Sequence, residues 1–156
     1  MSKQKNTDFG YETITKAEKR KKVGAVFDSV ATNYDLMNNL MSMGLHHVWK
    51  KILIETTTLK PKSKILDIAG GTADITIEFL KKNKDFKKFH TDINLSMLKK
   101  GRRKLIDHGK IIPSLLCDAE ALPFPNNYFD CVTISFGLRN MTNKEEALKE
   151  IYRVLS

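Results

Sequence analysis

The sequence predicts an α/β chain built on a parallel sheet with helices on both faces. Three observations carry that expectation. After Pro61, short apolar runs alternate with stretches of helical spacing. Four such runs are separated by helices or long crossings, the connections that parallel neighbours need. Each run also ends in glycine or a short polar residue, at the edge where such a sheet holds its ligand.

The elements follow in order. Residues 15–56 read as helical: Val23, Val26, Phe27, Val30 and Tyr34 recur at helical spacing, and Val48, Trp49, Ile52, Leu53 and Ile54 form a second run. Helices are therefore expected before the first strand. Residues 64–69 read as strand, 73–82 as helix, 86–91 as strand, 96–107 as helix, 111–117 as strand, 129–136 as strand, and 143 to the end as helix. The loop LPFPNNYFD carries two prolines and an Asn-Asn turn signal. Asn143 with Glu146 predicts a capping box over Ala147, Leu148, Ile151 and Leu155.

Composition narrows the classes. The 156 residues are 41% hydrophobic and 29% charged, ordinary values for one domain with a core. Apolar stretches break at Lys, Asp or Gly well short of the ~18 residues of a membrane span. The first 22 residues mix Asp8, Glu12 and Glu18 among their lysines, unlike a signal peptide. A cytoplasmic protein is expected. Cys117 and Cys131 lack metal-ligand spacing, so buried small hydrophobes and no metal are expected. The net charge of +9 invites a nucleic-acid reading, but 22 of the 27 basic residues are Lys, and 20 basic residues fall in four groups spread along the chain. Aromatic residues are not interleaved with them as a base-stacking surface requires, so no nucleic-acid partner is expected. Attraction to an anionic membrane surface stays open, since each nearby Lys or Arg adds ~1 kcal/mol.

The strand-end loops carry the ligand chemistry. After the first strand come Ala69, Gly70, Gly71 and Thr72; after the second, Asp92; after the third, Asp118 and Ala119; after the fourth, Ser135, Phe136, Gly137, Leu138 and Arg139. A dinucleotide fingerprint would need G-x-G-x-x-G, whereas Gly70 and Gly71 are adjacent; no Gly-Lys-Ser/Thr follows for a P-loop. S-adenosylmethionine has no phosphate and needs only close backbone approach plus donors for its carboxylate. Asp92, 21 residues past Gly71, is placed to accept both ribose hydroxyls, and Asp118 with the backbone after it to read the adenine edge. The plainer alternatives are a tight turn at Gly70-Gly71, a helix N-cap at Asp92 and a turn former at Asp118.

On these residues the sequence resembles the ubiquinone/menaquinone biosynthesis C-methyltransferase family (UbiE). The resembling segments are TDFGYETI, EKRKKVGAVFDSVATNYDLMNNLMSMGLHHVWKK, ILDIAGGTAD, TDINLSML and CDAEALPFPNNYFDCVTISFGLRN. Tyr34-Asp35-Leu36-Met37-Asn38 with Trp49, and Phe136-Gly137-Leu138-Arg139-Asn140, are the most specific to it. The resemblance implies a class I S-adenosylmethionine-dependent methyltransferase, Rossmann-like, with cofactor contacts at Thr72, Asp92, Asp118, Ala119 and Ser135 beside Gly70 and Gly71. It implies residues 1–60 as a substrate-side helical segment and 61–156 as the cofactor-binding half. It also implies transfer of a methyl group to a ring carbon of a polyprenylated benzoquinol or naphthoquinol. That carbon becomes nucleophilic as the neighbouring phenol loses its proton.

Arg139 is the catalytic candidate, a permanent positive charge to stabilise the phenolate; a surface or structural ion-pair residue is the alternative. His46 reads as lid packing or an acid/base, and Trp49, Met37, Met41 and Met43 as helix core or a greasy path for the tail.

Two departures from the family stand out. Ala73 occupies a position where the family usually has glycine, tolerable unless that residue needs φ > 0. Family members also continue past an Arg-Val-Leu such as Arg153-Val154-Leu155 into roughly a further hundred residues, so a truncated chain is expected, its missing half or other quinone-biosynthesis proteins being candidate partners. The fourth strand should then lack its outer neighbour. Two readings from other classes remain: an inactive remnant that at most binds S-adenosylmethionine, and a nucleic-acid methyltransferase, for which the Asn/Asp-Pro-Pro-aromatic motif is absent.

Overall fold

The computed structural model describes residues 6–9, 12–30, 45–82 and 85–156. The chain opens with β1 (Asn6–Phe9) and β2 (Glu12–Thr15), an antiparallel pair in the register Asn6 to Thr15 and Phe9 to Glu12. This hairpin corrects the expectation that only helices precede the sheet. Its threonines and acids show no apolar alternation to announce strands. Helix α1 (Lys16–Val30) follows at once, started by a capping box: the Thr15 N–H donates to Glu18 Oε2 at 2.9 Å and the Glu18 N–H donates to Thr15 Oγ1 at 3.3 Å. Tyr34, Met37, Met41 and Met43 lie outside the described residues. Helix α2 (Leu45–Thr56) completes the N-terminal section.

Then strands and helices alternate: β3 (Lys64–Ile68), α3 (Asp74–Lys82), β4 (Lys87–Asp92), α4 (Leu95–Asp107), β5 (Ser114–Leu116), β6 (Cys131–Ile134), a 3₁₀ turn (Leu138–Asn140) and α5 (Lys144–Val154). The four later strands form one parallel sheet in the order β5-β4-β3-β6. The chain steps outward from β3 to β5, then crosses back to place β6 on the other side of β3. The order therefore reverses at the β3–β6 seam, where open α/β sheets leave a crevice.

Alternation along β3 divides the core. Leu66 and Ile68 face one side, with Leu122, Phe129, Ala147 of α5 and Val154. Ile65 faces the other, with Ile75 and Phe79 of α3, Phe86, and Ile54 of α2. Helices thus cover both faces. Edge-to-face contacts of Phe89 with Phe124, Tyr128 and Phe129, at centroid distances of 5.3–6.1 Å, fill the first of these layers.

Several boundaries shift for physical reasons. Helix α3 begins at Asp74, one residue late, because Ala73 is left-handed at φ 65°. Strand β5 is shorter than expected, although the Pro113 carbonyl still accepts the His90 N–H at 2.9 Å. Helix α5 has the expected Asn143 cap, whose side chain accepts the Glu146 N–H. The reciprocal partner of the Asn143 N–H is Glu120 Oε1 at 2.7 Å, supplied from across the fold. At the outer side of β6, the Phe129 N–H donates to the Val154 carbonyl and the Ser156 N–H to the Phe129 carbonyl, each at 2.9 Å, a parallel bridge between Phe129 and Leu155.

Candidate cofactor site

The loops leaving β3, β4, β5 and β6 are joined one to the next. The Cys117 N–H donates to the Asp92 carbonyl at 3.1 Å, and the Gly70 N–H donates to the Thr91 carbonyl at 2.9 Å. Gly137 lies so close to the β3 loop that a Cβ there would stand 2.5 Å from the Ala69 Cβ. The predicted residues after all four strands therefore share one end of the sheet.

The β3 loop turns left-handed three times in five residues, at Ala69 (φ 51°), Gly71 (φ 54°) and Ala73 (φ 65°). Each alanine so placed carries ~1–2 kcal/mol of strain, the kind of strain that collects at ligand sites. Ala73 is therefore a departure at a position that does need φ > 0. Its buried methyl packs among Ile77, Leu80 and Leu105.

Asp92 is nearly buried, and both its oxygens accept backbone N–H groups: Oδ2 from Gly71 at 2.9 Å, Oδ1 from Asn94 at 2.8 Å. Burial raises its carboxyl pKa, and the N–H groups of Asn94, Gly71 and Ile93 pull it back in part. The helix cap falls to Asn94, whose side chain accepts the Met97 N–H at 2.9 Å, so Asp92 is not the N-cap. With three N–H groups on its four lone-pair sites, the carboxylate keeps acceptor capacity for a hydroxyl. Asp118 does form a turn, Oδ1 accepting the Glu120 N–H at 2.9 Å, while its Oδ2 pairs with Arg20 at 2.9 Å. Ala119 buries its methyl in the core beside Leu122, leaving its backbone as the group for a ligand. Thr72 is buried at the start of α3, and Ser135 is half-buried just after β6.

Arg139 sits exposed in the 3₁₀ turn and forms no ion pair among the described residues. An exposed cation without such a pair fits a surface residue as well as a catalytic one. Trp49 and Phe136, both half-exposed, meet at a centroid distance of 6.1 Å. This places Trp49 of α2 over the β6 loop rather than in the helix core.

Sequence reasoning missed three charged or polar residues. Asp67 is buried on β3, accepts the hydroxyls of Thr76 at 2.8 Å and Thr133 at 3.1 Å, and is pushed up to about 6 by burial. An acid inside an apolar strand was the available signal. His90 is fully buried behind the glycine loop, with only its inward register on β4 to announce it. Arg20 reaches from α1 to Asp118 and Glu120, a contact no local pattern foretells. With Asp28 accepting from Asn94 at 2.9 Å and Thr7 donating to the Thr142 carbonyl at 3.3 Å, it lays the N-terminal section across the strand ends.

The donor set fits S-adenosylmethionine. The Gly71 N–H, which a phosphate-binding loop would offer its ligand, is held by the Asp92 carboxylate, and that carboxylate would repel a phosphate. What remains is close backbone approach beside an acceptor for hydroxyls.

Comparison with known proteins bears on this. Residues 14–156 match the model of the ubiE/COQ5 methyltransferase family. The ubiquinone/menaquinone biosynthesis C-methyltransferase UbiE of Paraburkholderia phymatum is 58% identical over 150 residues, 96% of this chain. The chain spans 62% of that relative's length. Among solved structures, a SAM-dependent methyltransferase from Aquifex aeolicus is similar with TM-score 0.62 and 20% identity, over 69% of this chain and 58% of the other. The [4+2]-cyclase SpnF is similar with TM-score 0.72 and 18% identity, over 86% of this chain and 56% of the other. Those two likenesses establish the class I, Rossmann-like α/β fold, which by itself serves more than one chemistry. Sequence is what narrows it: the chain belongs to the ubiE/COQ5 methyltransferase family.

Proposed function

We propose that the chain carries the cofactor-binding part of an S-adenosylmethionine-dependent C-methyltransferase acting on a polyprenylated quinol of ubiquinone or menaquinone biosynthesis. The observation that carries the reading is the junction of Gly71 with Asp92, a glycine loop whose N–H is already bound to a carboxylate that still offers lone pairs. When bound, S-adenosylmethionine supplies an electrophilic sulfonium methyl. Asp92 accepts the ribose hydroxyls, Asp118 and the Ala119 backbone meet the adenine edge, and Gly70, Gly71, Thr72 and Ser135 line the approach. Arg139, exposed and unpaired among the described residues, holds positive charge where a phenol loses its proton, favouring the phenolate that pushes electrons to the ring carbon. Residues 1–60 form the substrate side.

Family membership supports the quinol as the acceptor. No helix among the described residues is long and apolar enough to cross a membrane. A cytoplasmic protein meeting its isoprenoid substrate at an anionic membrane surface, through its lysines, is the arrangement we favour.

The test is calorimetry with S-adenosylmethionine on the chain and on Asp92→Asn. Loss of a hydrogen bond to a charged group should weaken binding by roughly 1.5–3 kcal/mol. Equal affinity in a folded variant would reject the site. Turnover with a quinol, measured in a full-length relative carrying the same substitutions, should fall in steps from Arg139→Lys to Arg139→Ala with cofactor affinity little changed. Wild-type turnover in both removes Arg139 from the mechanism.

A further inference from the structure

Strand β4 presents His90 and Asp92 on one face, two residues apart. Both reach the backbone of one residue, Gly71. The Gly71 N–H donates to Asp92 Oδ2 at 2.9 Å, and the Gly71 carbonyl lies 3.2 Å from His90 Nε2. A carbonyl only accepts, so Nε2 carries the proton and Nδ1, 3.4 Å from Ser114 Oγ, is the bare nitrogen.

The ring also acts as a spacer. It is fully buried between the glycine loop and α4. A Cβ at Gly70 would stand 2.5 Å from the His90 Cδ2, and one at Gly101 of α4 would stand 2.7 Å from Cε1 and strike the Gly71 carbonyl oxygen. Two glycines, one on each side, thus make room for one imidazole. Burial pushes its pKa down to about 4, so the ring is neutral and keeps a single N–H to give.

We propose that His90 is a positioning residue of the cofactor loop. Its Nε2–H holds the Gly71 carbonyl while the Asp92 carboxylate holds the Gly71 N–H, fixing the two peptide units on either side of that residue, so that the loop stands preformed and the Asp92 lone pairs face the ligand. The proposal rests on the S-adenosylmethionine reading above. His90 itself touches no ligand; it acts through Gly71.

The test compares His90→Leu, which keeps bulk and loses the donor, with His90→Gln, whose amide nitrogen is as many bonds from Cβ as Nε2. Amide hydrogen exchange reads the loop directly. In His90→Leu, exchange at Gly71 should quicken about tenfold, the order for one buried hydrogen bond, while Leu66 and Phe89 in the β3–β4 ladder keep their protection. His90→Gln should restore Gly71. Affinity for S-adenosylmethionine should drop about tenfold in His90→Leu and return to within about threefold in His90→Gln. In the wild type, imidazole nitrogen shifts should report Nε2 protonated. Unchanged Gly71 exchange, an equal rise at every amide, the opposite tautomer, or unchanged affinity in His90→Leu would each overturn the role of His90. No binding by the wild type would instead overturn the cofactor reading, and this proposal with it.

Discussion

Gly137 shows what a single atom controls. It follows Phe136, itself left-handed at φ 59°, and has no room for a side chain beside Ala69 across the β3–β6 seam. An added methyl would stand 2.5 Å from that Ala69 Cβ, a distance no relaxed pair adopts. The nearest neighbour is the Ala69 Cβ, fixed directly to loop backbone, with the Ile134 Cγ1 behind it at 3.3 Å, so the closest contact is not the end of a flexible side chain. Gly137→Ala should therefore cost roughly 1–3 kcal/mol, as overpacking does. A thermal melt indistinguishable from wild type would show that the seam is looser than this contact implies. Ala73 differs: its methyl is both strained by φ 65° and buried, so relief and loss oppose each other at one position.

Between elements, charge does the joining. Asp74 at the start of α3 accepts from Lys50 of α2 at 2.5 Å and from Lys104 of α4 at 2.7 Å. Burial alone would raise its pKa; the hydrogen bonds from Lys104 and Lys50 outweigh that and hold it below the ordinary value. On β3 and β4 two buried groups have opposite pH signatures. Asp67 is raised by burial from 3.8 to about 6, so between those values the folded protein keeps a proton the unfolded chain has lost, and stability falls as pH rises. His90 is lowered by burial from 6.5 to about 4, so the unfolded chain holds the extra proton there, and stability rises with pH. The two slopes oppose. Asp67→Asn removes only the falling one, so its stability should climb relative to wild type across pH 4–6 by up to ~1.4 kcal/mol per pH unit. Urea unfolding at several pH values measures this. Parallel curves for the two proteins would mean that Asp67 titrates normally.

At the scale of the molecule, the sheet order leaves β6 at an edge. Its inner side is paired with β3, while among the described residues its outer side carries only the bridge from Phe129 to Leu155. The run from Cys131 to Phe136 holds neither charge nor proline, the usual guards of an edge strand. Apolar side chains are exposed near one another at the strand ends and on α2, including Trp49, Phe136, Val48 and Ile52. The 156-residue chain should therefore self-associate, its sedimentation coefficient rising with concentration. A constant monomer value would show that the edge is protected in some other way.

The sequence by itself determined the alternation of strands and helices, the parallel sheet, and which loops gather at one end of it. Periodicity and glycine placement are local properties, and crossover rules turn them into topology. It also named Gly70, Gly71 and Asp92, which the fold does bring into contact. The hairpin at Asn6–Phe9 and Glu12–Thr15 was not legible, since its polar residues follow no apolar period. Nor were the partners: His90 meets Gly71 across 19 residues, Arg20 meets Glu120 across 100, and Glu120 completes a cap that Glu146 was expected to complete. Those pairings exist only once strand register and helix packing have brought distant side chains within about 3 Å, the range at which a hydrogen bond forms. The tertiary structure therefore decided how the loop is held, and by which groups.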